Sequence, residues 1–328
     1  MKILVTGSSG HLGEALVRTL RKDGNDVTGL DIRKSAFTTT LASVTDTKVV
    51  AECMRGVQIV YHAATLHKPH VATHTMQDFI DTNVSGTLAL LEAAIANGVK
   101  SFVFTSTTSV FGDSLRPPPG KPAAWITEEV TPIPKNIYGV TKTVAEDLCR
   151  LFHRNQGLKC IILRTSRFFP EEDDDKLKRD QFDQDNAKAN EFLFRRVELE
   201  DVVSAHIAAA KRAPELGCRS YIISASSPFL PADLTALNTD APSVVRRRFP
   251  GYEEVYGRFG WKMFDSIDRV YVNTAARRDL GWQPKYDFEH ILESMKSGKF
   301  PRSTISEQVG SKGYHDRVFR QGPYPVIE

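Results

Sequence analysis

Short apolar runs and helical stripes alternate along the first half of the chain. "KILVTG", "DVTGLD", "VQIVYHA" and "SFVFTS" are rich in β-branched and aromatic residues and read as buried strands. His11 to Arg21 suits a helix. In "NVSGTLALLEAAIANGV" the apolar residues Val84, Leu88, Leu91 and Ile95 recur at helical spacing, and Gly98 is placed to stop it. "YGVTKTVAEDLCRLF" repeats the pattern with Val140, Val144, Leu148 and Leu151, and "KCIILRT" is the strand after it. Alternation of this kind predicts an α/β fold, a parallel sheet wrapped by helices.

From about Ser166 the pattern loosens. "FLFRRVELEDVVSAHIAAAKRA" predicts a short strand and a helix that return to the sheet, and "RSYIISA" one more strand. Pro-rich and basic pieces follow, including Arg246 to Arg248. The expected organisation is a dinucleotide-binding domain over 1–165, with 191–224 returning to it. A smaller, discontinuous substrate-binding region takes 166–190 and 225–296, and 297–328 form a polar, irregular tail.

Bulk properties narrow the classes. The chain has 328 residues, enough for one large or two modest domains. Its 43 basic and 40 acidic residues leave a formal charge of +3, too near neutral for a nucleic-acid partner. "MKILVTG" is no signal peptide, and no run of about 20 apolar residues exists to span a bilayer. Cys53, Cys149, Cys160 and Cys218 are scattered without CxxC spacing, which predicts a reduced, cytoplasmic protein.

The first chemistry lies at the end of the first strand. "VTGSSGHLG" sets Gly7, Gly10 and Gly13 between a strand and a helix. Such glycines make the tight turn and admit a pyrophosphate, and the helix N-terminus supplies free N–H groups and partial positive charge. Asp31 closes the second strand 18 residues after Gly13. Its carboxylate suits ribose hydroxyls and repels a 2′-phosphate, which favours NAD; Arg33 and Lys34 follow closely and keep NADP as an alternative. "NIYGVTK" places Lys142 four residues after Tyr138, one helical turn along the same face. A free phenol has a pKa of about 10. A nearby ammonium and an oxidised nicotinamide favour phenolate, so Tyr138 becomes a candidate base for a substrate hydroxyl.

With the hydroxyl-rich "FTSTTSVFG" added, the chain resembles an extended short-chain dehydrogenase/reductase of the NAD-dependent epimerase/dehydratase family. Further motifs carry the resemblance: "YHAATL", "NVSGT", "LRTSRFFP", "RRVELEDV" and "DLGWQPKYDF". It is close over 1–165 and looser to about 295. It implies a Rossmann-type, doubly wound sheet. It implies Thr107 as the hydroxyl that binds the reacting oxygen, with Ser106 and Ser109 as rivals, Tyr138 as acid/base, and Lys142 as ribose ligand. It implies Asn83 as support for the active-site backbone. Cofactor contacts are implied for Ser9, His11, Leu12, Ala63, Ala64, Thr65, Thr105 and Ser166, and substrate contacts for His67, Thr107, Thr108, Arg167 and Arg196. The family's two amphipathic helices, here around Leu88 and Val144, pair in dimers, so a homodimer is expected.

Departures from the family pattern narrow the reaction. Thr108 and Ser109 stand where dehydratases carry an acidic pair, so elimination is disfavoured. "LASVTD" lacks the usual Gly-Asp before adenine, and Ser43 and Val44 take that place. His67 replaces a cofactor-binding Lys of some sugar epimerases. Arg167 replaces the Asn of nucleotide-sugar enzymes, and the charged segment 168–194 is short. What remains is hydride transfer at a secondary hydroxyl of a sugar or nucleotide sugar. The outcome is epimerisation or, alternatively, net oxidation or reduction of a small carbonyl compound. A non-catalytic dinucleotide sensor has no need of Thr107, Tyr138 and Lys142. "HKPHVATH" sets His67, His70 and His74 at spacings of three and four, but Pro69 interrupts the helix a zinc face would need; no metal is expected. The acids Glu171 to Asp175 read as a solvated loop beyond the pocket.

Overall fold

The computed structural model describes residues 1–173, 175–315 and 319. Seven strands form one parallel sheet: β1 (Lys2–Thr6), β2 (Asp26–Asp31), β3 (Thr40–Leu41), β4 (Ile59–His62), β5 (Ser101–Thr107), β7 (Cys160–Thr165) and β8 (Cys218–Ile223). They lie in the order β3-β2-β1-β4-β5-β7-β8. A separate pair joins β6 (Ala124–Ile126) to β9 (Arg269–Tyr271). The main sheet is a Rossmann-type, doubly wound sheet, and its order reverses between β1 and β4. Ligands of such sheets bind beyond the carboxyl ends of the strands at that switch point.

Both faces are buried, which is why the strands are continuously apolar rather than alternating. Ile3 and Val5 of β1 face one helical layer, α1 (His11–Lys22) and α8 (Leu199–Leu216). Leu4 faces the other, α2 (Thr47–Met54), α4 (Gly86–Ala96) and α5 (Ile137–Gln156). The short α3 (Met76–Phe79) leads into α4 through a π turn, Ile80–Ser85. A second apolar cluster gathers Ala187 to Phe194 with residues from Ala225 to Met295, beside α6 (Lys176–Gln181) and α7 (Gln184–Glu191). The late "GWQPKYDF" docks on α8: Trp282 Nε1 donates to the Asp201 carbonyl, and the Asp201 carboxylate accepts from the amides of Lys285 and Tyr286.

Several expectations need correction. The strand predicted near 194–197 is a single bridge, Arg167 to Arg196. The stripe Val140, Val144 and Leu151 on α5 faces outward, whereas Tyr138, Lys142, Glu146 and Cys149 face the sheet. The acidic run is not simply a solvated loop. Glu171 and Asp173 keep only 8% and 7% of their side chains exposed, Glu171 bound to His11 and Ser311 and Asp173 to Arg167 and Arg195, while Glu172 is open to solvent. Asp174 lies outside the described residues. The tail is partly ordered: Thr304–Val309 is a helix, and Ser311 to His315 return to the glycine loop. Of the tail, 316–318 and 320–328 lie outside the described residues.

Candidate active site

A cavity of roughly 670 Å³ opens at the switch point. Its floor is the glycine turn between β1 and α1. Gly7 has φ +72°, and a Cβ there would meet the Ala64 nitrogen at 2.7 Å. A Cβ on Gly13 would lie 1.9 Å from the Gly7 carbonyl oxygen. These two glycines are needed by the protein itself. Gly10 differs: its Cβ would approach only the Gly7 oxygen, at 3.3 Å. The room beside Gly10 opens into the cleft, where a pyrophosphate would approach the α1 N-terminus. Ser9, Gly10, His11, Leu12, Gly13, Asp31, Arg33, Ser43, Val44, Ala63, Ala64, Thr65 and His67 all line the cavity. Asp31 is held at the end of β2 by the amides of Ser9, at 2.9 Å, and Arg33, at 2.8 Å. The buried Ser166 hydroxyl has no hydrogen-bond partner, although its neighbours Thr165 and Phe168 line the cleft. An orphaned hydroxyl beside a cleft built around a glycine turn and an acidic strand end fits a dinucleotide.

The reacting end lies at the tip of β5. Tyr138 and Thr105 line the cavity, and the phenol shares a hydrogen bond with the Thr107 side chain. Ser106 donates instead to Glu146, at 2.6 Å, so of the three candidate hydroxyls Thr107 is the one placed at Tyr138. Lys142 lies below, its Nζ 2.6 Å from the Thr105 carbonyl oxygen and 4.1 Å from the Phe104 ring centre. Burial pushes the phenol up to about 12, and the Thr107 hydrogen bond offsets this only in part. Burial likewise pulls Lys142 down to about 7, against the opposing charge of Glu146. Lys142 alone leaves the phenol high, and the expected phenolate rests on the ammonium and an oxidised nicotinamide together.

Asn83 supports this end from behind. Its Oδ1 accepts from the Leu66 amide at 2.8 Å and the Thr65 hydroxyl at 2.9 Å. Its Nδ2 donates to the Leu66 carbonyl at 2.9 Å and to Thr141 at 3.0 Å. All four bonding positions are used, and they tie the loop after β4 to α5. The π turn is what aims Asn83 inward, a common use of such turns at functional sites.

Three sets of residues escaped the sequence reading. His62 bridges Thr6 and Thr87 at 2.8 and 2.9 Å. Thr87 donates to the Asn83 carbonyl, so it must accept from Nε2–H of His62, and Nδ1 then accepts from Thr6. Burial keeps this histidine neutral, down to about 3, with Lys142 adding to the effect. Glu146 is fully buried and binds Ser106, Arg164 and Arg150. Lys312 to His315 complete the outer wall, fastened by Glu171. His62 was signalled by its place at the end of an apolar run; Glu146 carried no such signal, and the last set depends on contacts across 140 residues.

The remaining candidates fall elsewhere. Thr108, Ser166, Arg167 and Arg196 do not line the cavity; nor do Asn83, Thr107 and Lys142, each of which is instead bonded to a residue that does. Arg167 pairs with Asp173 at 2.9 Å, and Arg196 with Glu191 at 2.8 Å. Arg196 faces a second cavity of roughly 60 Å³. Arg246 and Arg248 pair with Glu253 and Asp233. His67, His70 and His74 pack edge to face, and the His67 amide donates to His70 Nδ1 at 3.0 Å. Among the described residues no group of His, Cys, Asp or Glu is arranged to hold a metal ion.

Comparison with known proteins gives this geometry a place. The family model "NAD dependent epimerase/dehydratase family" matches residues 3–215. A UDP-glucose 4-epimerase of Lactobacillus helveticus is 25% identical over 321 residues, spanning 88% of this chain and 93% of the relative. An L-arabinose 1-dehydrogenase (NAD(P)(+)) of Haloferax volcanii is 30% identical over 170 residues, spanning 50% of this chain and 65% of the relative. A short-chain dehydrogenase/reductase superfamily protein from Agrobacterium tumefaciens, solved with bound NAD, has a TM-score of 0.65 at 23% identity, covering 90% of this chain and 96% of that one. UDP-glucose 4-epimerase from Thermotoga maritima, solved with UDP-glucose, has a TM-score of 0.61 at 21% identity, covering 91% and 99%. With a glycine turn, an acidic strand end and Tyr138, bonded to Thr107, around one cleft, the chain belongs to the NAD-dependent epimerase/dehydratase family and is an enzyme.

Proposed function

We propose that the enzyme uses NAD to epimerise a secondary hydroxyl of a sugar or nucleotide sugar, with Tyr138 as acid/base. One observation carries this reading: Tyr138, hydrogen-bonded to Thr107, lines the same cleft as the glycine turn and Asp31. Bound NAD⁺ supplies the hydride acceptor and a positive charge that favours phenolate. Thr107 holds the substrate oxygen by a hydrogen bond. Tyr138 takes the hydroxyl proton as the C–H hydride leaves, and the substrate becomes a ketone. Tyr138 returns the proton when hydride is delivered to the opposite face. Lys142, held by Thr105, supplies a cation beneath the phenol, and Asn83 keeps the loop after β4 in register with α5. The negative end of Asp31 disfavours a 2′-phosphate, so NAD is the preferred cofactor. No group equivalent to the dehydratase acids stands at Thr108 and Ser109, which supports retention of all substrate oxygens.

Net oxidation of a small sugar is the second reading. The ion-paired Arg167 and the short segment after β7 favour it, because they leave less room for a nucleotide. The discriminating measurement is the dinucleotide released on denaturing purified protein, together with conversion of UDP-glucose to its 4-epimer. Stoichiometric dinucleotide and epimer formation without net NADH support the first reading. Cofactor-free protein that reduces added NAD with free sugars overturns it in favour of the second. Tyr138→Phe should lose about 10²- to 10⁴-fold in turnover; full activity in this variant would sink the acid/base assignment for both. We propose also that the protein is a homodimer, paired through the outward apolar stripe Val140, Val144 and Leu151 of α5.

A further inference from the structure

The C-terminal segment returns to the cofactor cleft from far away in sequence. Its anchor is the helix Thr304–Val309. The Ser303 hydroxyl donates to Glu198 at 2.7 Å, and Val309 packs into the core beside α1 and α8. Beyond Gly310 the chain runs across the glycine loop. Lys312, Gly313, Tyr314 and His315 line the large cavity together with Gly10, His11 and Arg33.

The segment is fastened rather than merely apposed. One oxygen of the buried Glu171 accepts from the Ser311 hydroxyl at 2.8 Å and from the amides of Lys312 and Gly313 at 3.0 and 3.2 Å. The same oxygen contacts His11 Nε2 at 2.9 Å, which ties the fastening to the first residue of α1. His315 Nε2 meets the Pro69 carbonyl at 3.0 Å. Tyr314 is wedged among His67, Phe169 and His11, with ring centres 5.1, 5.8 and 6.4 Å away.

Charge adds a second argument. Glu14 is buried in the first turn of α1, where its carboxylate would oppose an arriving pyrophosphate. Arg18 pairs with it at 2.8 Å, and the Lys312 ammonium pairs with its other oxygen. The tail thus neutralises a charge that the phosphate-binding helix carries.

We propose that Ser311 to His315 form the outer wall of the dinucleotide site, latched by Glu171, and that this strap must lift before the cofactor leaves. Lys312 acts as a positioning residue through Glu14, and Tyr314 closes the aromatic side of the cleft. The proposal rests on the reading of the cleft as a dinucleotide site. It also deepens the proposed function, because a strapped cofactor is retained between turnovers.

The test is displacement of NADH by excess NAD⁺, followed by stopped-flow fluorescence, with no sugar present. The full-length chain is compared with Tyr314→Ala, Glu171→Ala and a chain ending at Gly310, each checked by thermal unfolding. Release should accelerate about tenfold or more, the scale of one lost polar contact. A gain of about threefold or less in a folded Tyr314→Ala and a folded Glu171→Ala would overturn the strap. If the shortened chain unfolds, the two full-length variants still decide. Failure of the wild-type chain to bind NADH would overturn the site itself, and with it the proposed function. Binding with unaltered release would overturn the strap alone.

Discussion

Replacing Glu146 with glutamine separates the structural from the electrostatic work of α5. Its carboxylate is fully buried and accepts from Ser106 at 2.6 Å, Arg164 Nη2 at 2.8 Å and Arg150 Nη2 at 2.8 Å. Ser106 and Arg164 face each other across β5 and β7, which is why both reach one side chain. Glutamine keeps an acceptor for Ser106 but leaves Arg164, itself nearly buried, without its counter-charge. Breaking such a pair costs about 3–5 kcal/mol. Unfolding entropy is about 2.1 cal/mol/K per residue, so 328 residues give about 0.7 kcal/mol/K and a fall in Tm of about 4–7 °C. Burial would raise the Glu146 carboxyl, but the hydrogen bonds and charges of Arg164, Ser106 and Arg150 win and hold it below 4.5. Its stabilisation is therefore present above pH 4.5 and lost as pH falls through the lower folded value. The stability gap between wild type and Glu146→Gln should narrow in acid. Lys142, pulled to about 7 by burial, also loses the charge that holds it up. The alkaline limb of kcat/KM should then move to lower pH. Adding Arg164→Met should recover most of the stability but not that limb, since it removes the stranded cation without recharging Lys142. Urea unfolding and a pH–rate profile test both parts. A single variant within about 1 kcal/mol of wild type, the value of a surface pair, would refute the buried-pair argument.

Gly10→Ala should fold like wild type, because the added Cβ meets one atom at 3.3 Å, yet bind NADH about tenfold more weakly or worse in a fluorescence titration. Gly13→Ala should lose stability as well, since its Cβ would lie 1.9 Å from a backbone oxygen. Burial holds His206 down to about 4, with its ring bonded to Thr105 and the Val202 carbonyl. Its stabilisation is complete above 6.5 and shrinks as pH falls towards 4, by up to about 1.4 kcal/mol per pH unit. Chemical denaturation at several pH values should show that slope, and His206→Gln should flatten it. Val144→Lys should yield a monomer by multi-angle light scattering if the α5 stripe pairs two subunits; an unchanged mass would move the interface elsewhere.

The alternation of apolar runs and helical stripes carried the α/β class, the parallel sheet and six of its seven strands, because burial on both faces demands continuous apolar residues. Gly7, Gly13, Tyr138 and Lys142 were legible for a similar reason: a tight turn and a one-turn helical spacing are local facts. The two-residue β3, the π turn that aims Asn83, and the β6–β9 pair were not, since short elements leave no period to read. The outward turn of Val140 and Val144 was equally hidden, because an apolar stripe does not say whether its partner is the sheet or a second chain. Glu146 reads as an ordinary helical acid until Arg164 meets it across the sheet. Glu171 reads as one acid in a charged run, and Lys312 as part of a polar tail. Their pairing needs the chain to return over the glycine loop, and charges brought together across such distances are a property of the folded chain.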